Sequence, residues 1–465
     1  MSDKAKSPRR ALLEEKKSGY EVMSAEELKA CHDFNEDYKY FMDAAKTERE
    51  AVDYAVEAAR AAGFKPFKRG DALKPGDRIY QVNRGKAIAV MVIGEHDVHD
   101  GINISGAHID SPRIDLKMSP LYEDNGIALF KTHYYGGIKK YQWVNLPLEL
   151  HGVIALKDGR VIKVRVGDKP DDPIFIINDL ILHLAGDQMK KGASEVIPAE
   201  SMNAIVGTIP DPDDDGSDRV KLAVMGIINE MYGVTEADFH SAELTLVPGL
   251  KARDVGFDRS LIAAYGHDDR VCAYDSLRAV LDTKNPTKTI MCLLVDKEEI
   301  GSVGVSGMHS QWFDTLCEDI CDCFDMKLRE CFEKSFCLSN DVTAAYDPNY
   351  PQPFDPHNTP RFNYGLGVAK YTGARGKSGS SDASAELVAR VRNMFDSNGV
   401  LWQMAPLGAV DAGGGGTIAY ITAQRNIDTI DAGVPVLSMH APYEIISKVD
   451  NYMSYKGMLA VFSEK

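Results

Sequence analysis

The chain has 465 residues, of which 44% are hydrophobic and 26% are charged, as is ordinary for a soluble globular protein with a sizeable core. The formal net charge of -16 argues against nucleic acid and anionic membranes as main partners, because both are negatively charged. The N-terminal stretch MSDKAKSPRR lacks the apolar core of a signal peptide, and the longest clean apolar run, residues 87–93, is far below the ~20 residues of a membrane helix. We therefore expect a cytoplasmic protein.

The first half of the chain changes from a helical pattern to a mostly β pattern. Residues 24–62 begin with a capping-box sequence, carry apolar residues at helical spacing and end at Gly63, which predicts one or two long helices. Up to about Val255, short strand-like runs then alternate with loops, so we expect a β-rich unit with a helix near residues 176–191. These runs begin at Lys86, Gly101, Asn145 and Gly159.

After residue 255 the pattern changes to strands and helices in alternation. This rhythm is typical of a parallel or mixed sheet that is covered by helices, so we predict an α/β fold here. The predicted helices cover residues 269–283, 310–334 and 383–399, and the predicted strands cover residues 289–296, 335–341 and 434–440. The eight cysteines include a clustered group from Cys317 to Cys337 without paired CxxC spacing, which favours buried free thiols over a zinc site.

Residues that commonly bind metals stand where several of the strand-like runs end. In open α/β sheets, ligands bind beyond the carboxyl ends of the strands, so these side chains could converge in one crevice. Histidines and carboxylates together suit a pair of divalent cations of zinc type, and one of two adjacent glutamates could act as a general base. Each residue alone has an ordinary alternative, such as a solvated turn or a helix cap. The set is His108, Asp110, Asp268, Asp269, Glu298, Glu299, Asp341 and His440.

Four short motifs occur in an order that resembles the aspartyl aminopeptidase family, within the clan of co-catalytic zinc aminopeptidases. The motifs are GAHIDSPR at residues 106–113, DKEEIGS at 296–302, SND at 339–341 and SMHAPYE at 438–444. The resemblance implies an α/β fold in which a mixed-sheet zinc-peptidase catalytic domain is interrupted by a β-rich dimerisation domain. Residues 1–109 and 255–465 would form the catalytic domain, and residues 110–254 would form the insertion.

The resemblance also implies a role for each residue of the set. His108 and Asp341 would bind one metal, Glu299 and His440 would bind the other, and Asp268 would bridge both. Glu298 would be the base that activates the water between the metals, and Asp110 would orient the ring of His108. Two divalent ions per subunit are implied, with zinc as the expected ion and manganese or cobalt as alternatives that accept the same ligands.

The bridging position has two candidates. Members of the family from animals carry an arginine-leucine-aspartate-asparagine run where this chain reads Gly266, His267, Asp268, Asp269 and Arg270. The helix that follows aligns best with Asp268 as the bridge, and Asp269 is the alternative.

A histidine from the inserted domain is implied to act across a subunit interface. The stretch DLILHLAGDQ, residues 179–188, nominates His183, which would stabilise the oxyanion of the tetrahedral intermediate in the neighbouring subunit. The alternative is a histidine on a helix face that packs on Leu182 and Leu184. Relatives form dimers that build dodecamers, so the resemblance implies a homo-oligomer.

The expected activity is that of a metallo-aminopeptidase acting on peptides with a free N-terminus. The alternatives are a carboxypeptidase or deacylase with the same metal site, and a non-catalytic assembly or cargo protein on this scaffold. The preferred N-terminal residue is open: Arg375 or Lys377 could pair with an acidic side chain, or both could be solvated loop charges. The run Gly413–Gly416 lacks the GK[ST] ending of a phosphate loop, and the resemblance makes it a substrate-facing loop.

Overall fold

The computed structural model describes residues 8–464, so the charged N-terminal residues 1–7 and Lys465 lie outside the described part. Within it the chain forms ten α-helices and twenty strands. The helices are α1 Gly19–Val22, α2 Ala25–Ala44, α3 Glu48–Ala61, α4 Arg219–Tyr232, α5 His267–Asp282, α6 Trp312–Asp322, α7 Leu328–Lys334, α8 Ala385–Ser397, α9 Ala419–Ala423 and α10 Lys448–Phe462.

The strands belong to three sheets. In chain order they are β1 Lys65–Pro66, β2 Arg78–Asn83, β3 Ala87–Val92, β4 Ile102–His108, β5 Arg113–Asp124, β6 Ile127–Tyr135, β7 Leu148–Ala155, β8 Val161–Val166, β9 Ala204–Gly207, β10 Ala242–Pro248, β11 Arg253–Val255, β12 Leu261–Ala264, β13 Thr289–Val295, β14 Phe336–Asn340, β15 Thr343–Ala344, β16 Leu366–Ala369, β17 Trp402–Met404, β18 Asp428–Gly433, β19 Pro435–Leu437 and β20 Glu444–Ser447.

The two long N-terminal helices follow the pattern read from the sequence. Ser24 and Glu27 form a capping box at the start of α2, and Thr47 and Glu50 form another at the start of α3. Each box satisfies main-chain N–H groups that the first helical turn leaves without a partner. The prediction of one or two long helices over residues 24–62 is therefore confirmed, with the break between α2 and α3.

The largest sheet is mixed and has nine strands in the order β1-β2-β3-β13-β4-β14-β18-β16-β17. Its centre is parallel, because β4 pairs in parallel with β13 and β14, and β14 pairs in parallel with β18. Successive residues of β13 join two different hydrophobic clusters: Cys292 lies in the cluster with α2, α5 and α10, and Leu293 lies in the cluster with α6 and α7. Helices therefore cover both faces, which confirms the predicted α/β architecture.

The second sheet is antiparallel and comes from one continuous stretch of chain. Its six strands have the order β8-β7-β10-β5-β6-β9, and α4 packs against it over a separate hydrophobic cluster. The prediction of a helix near residues 176–191 is wrong: this stretch contains only short 3-10 turns at Leu182–Leu184 and Gln188–Lys190. The main chain is extended at Ile176, which forms a β-bridge with Ile205. The apolar residues of 176–191 therefore do not share one helical face.

Helix α4 was missed by the sequence reading. Its buried residues Val220 and Val224 are one helical turn apart, and the helix ends at Gly233, which has a positive φ of 69°. A glycine at this position is a common helix stop, so this signal was present in the sequence.

A third sheet joins strands from the C-terminal half in the order β11-β12-β20-β19-β15. The predicted strand at residues 434–440 is in fact β19, Pro435–Leu437, and it belongs to this sheet rather than to the large one. His440 therefore lies in a turn beyond β19, while Asp268 follows β12 in the same sheet.

Ionic contacts that are buried connect the N-terminal helices to the six-stranded sheet. Lys46, between α2 and α3, places Nζ 2.8 Å from Oε2 of Glu149 on β7. His151, two residues further along β7, contacts Glu50 of α3 at 2.9 Å. Such buried pairs depend on correct geometry, so they fix the position of the six-stranded sheet against the helices.

Two further expectations can be compared with the fold. All eight cysteines are free, and seven of them are buried, which confirms the interpretation as buried thiols. Across residues 8–464, none of the helices combines the length and the apolar character that crossing a membrane requires.

Candidate active site

The predicted convergence at the strand ends occurs in the large sheet. The adjacent parallel strands β13, β4 and β14 end next to one another, and each is followed by residues of the predicted set. His108 is the last residue of β4, Asp341 follows β14, and Glu298 and Glu299 form a 3-10 turn after β13. The parallel arrangement therefore delivers a histidine and three carboxylates to one edge, as expected for an open α/β sheet.

Asp268 lies between the two histidines. Its Oδ1 is 3.1 Å from Nε2 of His108, and its Oδ2 is 3.1 Å from Nε2 of His440. Each oxygen of this carboxylate therefore faces a different histidine. A carboxylate placed in this way can be shared between two cations.

Asp341 and Glu299 complete the two halves of the cluster. Oδ1 of Asp341 is 3.8 Å from Nε2 of His108, and Oε1 of Glu299 is 3.4 Å from Nε2 of His440. The Oε1 atom of Glu299 is buried and has no hydrogen-bond partner among the described residues. A buried carboxylate oxygen without a partner is costly, and this donor set of histidine nitrogens and carboxylate oxygens fits zinc.

The ligand atoms are close enough to share ions. Those of His108, Asp268 and Glu299 lie within 4.8 Å of one another, and so do those of His108, Glu298 and Asp341. Geometry alone therefore leaves Glu298 able to ligate as well as to act as a base. Asp269 is fully buried, but both histidines form their ion pairs with its neighbour Asp268. The peptide bond between the two aspartates is cis.

The electrostatics of the cluster favour binding of cations. Burial, together with the nearby carboxylates of Asp341 and Asp268, raises the pKa of Glu298 to about 8. Burial and the charge of Asp268 raise the pKa of Glu299 well above its ordinary range. Burial opposes the charge on His440, yet its contacts with Asp268 and Glu299 raise its pKa to about 10. The carboxylates resist ionising together, so bound dications would remove the main electrostatic cost of the site.

Asp110 positions other parts of the site besides the ring of His108, which is the role that the resemblance implies for it. The Nδ1 atom of His108 lies 2.9 Å from the main-chain oxygen of Asp110 and 3.3 Å from its Oδ1. The main-chain N–H groups of Glu298 and Glu299 donate to the two oxygens of Asp110 at 3.1 and 3.2 Å. The hydroxyl of Tyr135 donates to Oδ2 at 2.8 Å. One buried carboxylate therefore positions both the His108 ring and the glutamate turn.

His440 is positioned by a residue that the sequence reading missed. Its Nδ1 lies 2.7 Å from the main-chain oxygen of Gly137, in the turn that follows β6. Both histidines therefore direct Nδ1 toward a main-chain oxygen and Nε2 toward the cluster, which fixes the ring nitrogen that would face a metal. Because the contact comes from the main chain of Gly137, no side-chain type could have revealed it.

Glu444 is a second functional residue without an assigned role in the sequence reading. It is fully buried at the start of β20, and its Oε1 and Oε2 accept the N–H groups of His440 and Asp268 at 2.6 and 3.0 Å. One carboxylate therefore sets the main chain at two of the proposed metal ligands. The signal was its place at the end of the SMHAPYE motif, four residues after His440.

Replacing Glu444 with glutamine tests this positioning role. The amide nitrogen would meet a main-chain N–H that now donates to a carboxylate oxygen, so we expect metal affinity to fall about 10- to 100-fold. Competition with a fluorescent zinc chelator measures the change, and the exposed Glu386→Gln variant is the matched control. An affinity equal to that of the control would contradict the role.

A cavity of about 410 Å³ opens beside the cluster. The glycine run lines it at Gly414–Gly416, as the resemblance led us to expect. Gly414 has a φ of +135°, and a Cβ there would lie 2.6 Å from Cα of Ala374, so only glycine fits this contact.

The remaining predicted residues lie outside the cluster. Lys377 forms an ion pair with Asp382 at 3.1 Å and lies 4.1 Å over the ring of Tyr371, and Arg375 is exposed. His183 is exposed, and its neighbours Leu182 and Leu184 have exposed fractions of 74% and 73%. The alternative of a histidine packed on these leucines is therefore wrong.

Comparisons with known proteins place the chain among peptidases. The profile of the aminopeptidase I zinc metalloprotease (M18) family matches residues 41–462. A probable M18 family aminopeptidase 1 of Clostridium acetobutylicum is 47% identical over 457 residues, covering 97% of this chain and 98% of the relative.

Two solved structures resemble the fold to different degrees. The crystal structure of an M18 family aminopeptidase from Thermotoga maritima has a TM-score of 0.93 at 45% identity, covering 97% of this chain and all of the other. The mApe1 dodecamer of S. cerevisiae has a TM-score of 0.75 at 20% identity, covering 94% and 96% of the two chains, which shows likeness of fold.

Proposed function

The chain belongs to the aminopeptidase I zinc metalloprotease (M18) family, and from this premise we propose that it uses two bridged divalent metals. As a family member it is a zinc-dependent aminopeptidase that hydrolyses the N-terminal residue from peptides. His108 and Asp341 would hold one metal, Glu299 and His440 the other, and Asp268 both. The observation that carries this proposal is that the two oxygens of Asp268 face two different histidines.

Glu298 is proposed as the general base. Bound metals supply positive charge that polarises the scissile carbonyl and favours loss of a proton from water. Glu298 takes this proton and later donates it to the leaving amine, a role suited to a carboxyl group whose pKa burial raises toward neutrality. Asp110 keeps the base in place through the main-chain N–H of Glu298.

The requirement for a free N-terminus distinguishes an aminopeptidase from the alternative functions. We expect cleavage of a free peptide to continue when its C-terminus is amidated and to stop when its N-terminus is acetylated. Mass spectrometry of the products, with zinc, manganese or cobalt added back after chelation, checks this. A carboxypeptidase would fail on the amidated peptide, a deacylase would prefer the acetylated one, and an assembly protein would cleave neither at any metal loading.

We also propose that the chain forms a homo-oligomer, with dimers assembled into a dodecamer, in which His183 reaches the neighbouring active site. Support comes from the exposed apolar side chains of Ile181, Leu182 and Leu184 beside this histidine, and from the dodecamer formed by the yeast relative. His183→Ala should keep metal content and assembly and lower kcat about 10²- to 10³-fold, as loss of an oxyanion donor does. Sedimentation and steady-state kinetics test this, and unchanged kcat would contradict it.

The division of the chain is part of the same proposal. Residues 1–109 and 255–465 would form the catalytic domain and residues 110–254 the dimerisation domain, supported by the continuous six-stranded sheet from β5 to β10. A cytoplasmic location is proposed as well, supported by eight free thiols, which a reducing compartment preserves.

A further inference from the structure

We propose that a second cavity, beside His440, binds the C-terminal carboxylate of short peptide substrates through Lys139 and Lys140. This inference rests on the proposed function, because it assigns the cavity to the part of the peptide that follows the cleaved bond. It is carried by the place of the cavity next to the proposed ligands, by the hydrogen-bond donors in its wall and by two lysines without acidic partners.

The cavity begins at the cluster of proposed ligands. It has a volume of about 440 Å³, and its wall includes Gly137, whose main-chain oxygen lies 2.7 Å from Nδ1 of His440. A Cβ atom on the preceding Gly136 would lie 3.3 Å from Oε2 of Glu299. These glycines place no side chain between the cluster and the cavity, so a peptide whose first bond lies at the cluster can continue over them.

Both lysines lie within reach of a short peptide. Lys139 and Lys140 follow Gly137 by two and three residues, so their Cα atoms lie at most about 7 and 11 Å from its Cα atom. An extended peptide advances ~3.3 Å per residue, so a peptide of about three to five residues ends beside them. The buried Trp143, which packs edge-on against the ring of Tyr265, anchors the other end of this turn and limits its movement.

The wall of the cavity provides donors and no acidic side chain. None of the described residues that line it is an aspartate or a glutamate. A carboxylate can only accept hydrogen bonds, and it binds most strongly to charged donors such as ammonium groups. The lining residues that carry a side-chain donor are Tyr134, Lys139, Lys140, Tyr141 and Ser194.

The two lysines have no partner within the described chain. Among residues 8–464, neither ammonium group forms an ion pair or a hydrogen bond. By contrast, Lys117 and Lys131 in β5 and β6 of the same sheet both pair with Glu200, at 2.9 and 3.1 Å. The chain has 69 acidic and 53 basic residues, so two adjacent cations without partners make a local positive site on a negative protein. Such a site attracts the carboxylate of a substrate.

Peptides that differ in length and at the C-terminus test the inference on the wild-type oligomer. The series has one N-terminal residue followed by alanines, from two to eight residues in total, and each length is made as the free acid and as the amide. At about three to five residues, we expect kcat/KM of the free acid to exceed that of the amide about three- to tenfold, mainly through KM, because partly exposed ion pairs are individually weak. The ratio should approach one at eight residues and at high salt.

Three outcomes of this series are decisive. Equal kcat/KM for acids and amides at every length overturns the inference. A gain from a glutamate near the fourth position of an amidated octapeptide, with no gain for short free acids, assigns the site to acidic side chains and overturns the C-terminal assignment. Failure to cleave any free peptide at any metal loading instead overturns the proposed function.

Variants of the lysines locate the source of the preference. Lys139→Ala with Lys140→Ala should lower kcat/KM of the short free acids to the level of their amides, and Lys139→Glu with Lys140→Glu should make the amides the better substrates. Lys16→Ala with Lys17→Ala, an adjacent pair of exposed lysines, is the matched control and should keep the wild-type ratio. A wild-type ratio in either variant of Lys139 and Lys140 overturns the assignment. Loss of the oligomer in these variants, measured by sedimentation, assigns the lysines to a subunit contact and overturns it as well.

Discussion

Replacing Glu298 with glutamine is expected to lower kcat by about two to four orders of magnitude while both proposed metals stay bound. Glutamine has nearly the same shape but cannot take the proton from the attacking water. The main-chain N–H of Glu298 donates to Asp110, so the turn keeps its place when the side chain changes. Single-turnover kinetics and metal analysis of the purified oligomer measure the two quantities separately.

The metal content decides between two roles for Glu298. Its carboxylate lies close enough to His108 and Asp341 to ligate, so a variant that loses one metal would show that Glu298 is a ligand rather than the base. Near-normal turnover with both metals present would refute the base assignment. The exposed Glu386→Gln variant controls for a general effect of removing one negative charge.

The second large effect is expected at Asp268. Asp268→Asn leaves one oxygen where two now face His108 and His440, and it removes the negative charge shared between both halves of the cluster. We expect loss of metal from both positions and no measurable turnover. Circular dichroism should show that the variant is still folded. Inductively coupled plasma mass spectrometry of the dialysed protein gives the number of bound ions.

Asp269→Asn is the matched comparison, because the sequence left both aspartates open as the bridge. Burial and the charge of Asp341 raise the pKa of Asp269 well above its ordinary range, so asparagine replaces a carboxyl group that resists ionising. We expect two metals per subunit and substantial activity in this variant. If Asp269→Asn loses both metals and Asp268→Asn keeps them, the bridge is Asp269.

The parts of the site that could be predicted depend on patterns formed by residues that are close together in the sequence. Metal-ligand side chains at the ends of apolar strands, such as His108 and Asp341, can be recognised in the sequence because the apolar pattern of the strand stops at them. The parallel pairing of β4 with β13 and β14 then brings these ends together, as the general rule for open sheets states. A capping box located the start of α2 for the same reason, since its signal spans only four residues.

The parts that could not be predicted depend on contacts between distant segments. The main-chain oxygen of Gly137 binds His440 from about 300 positions away, and no side-chain chemistry marks it. Residues 176–191 contain many apolar side chains, but those of Leu182 and Leu184 are exposed in this chain. An apolar run can serve a core or an exposed surface, and the sequence pattern does not separate the two.

The order of the strands in the large sheet has a consequence for synthesis on the ribosome. Ile102 of β4 pairs with Thr289 of β13, so β4 cannot form this pairing until residues 187 positions later have been synthesised. At a typical rate of synthesis this wait lasts roughly 10 to 40 s, while the six-stranded sheet between them is already complete in sequence. His440 follows His108 by 332 positions, so a nascent chain carries no assembled peptidase site until this second histidine has emerged.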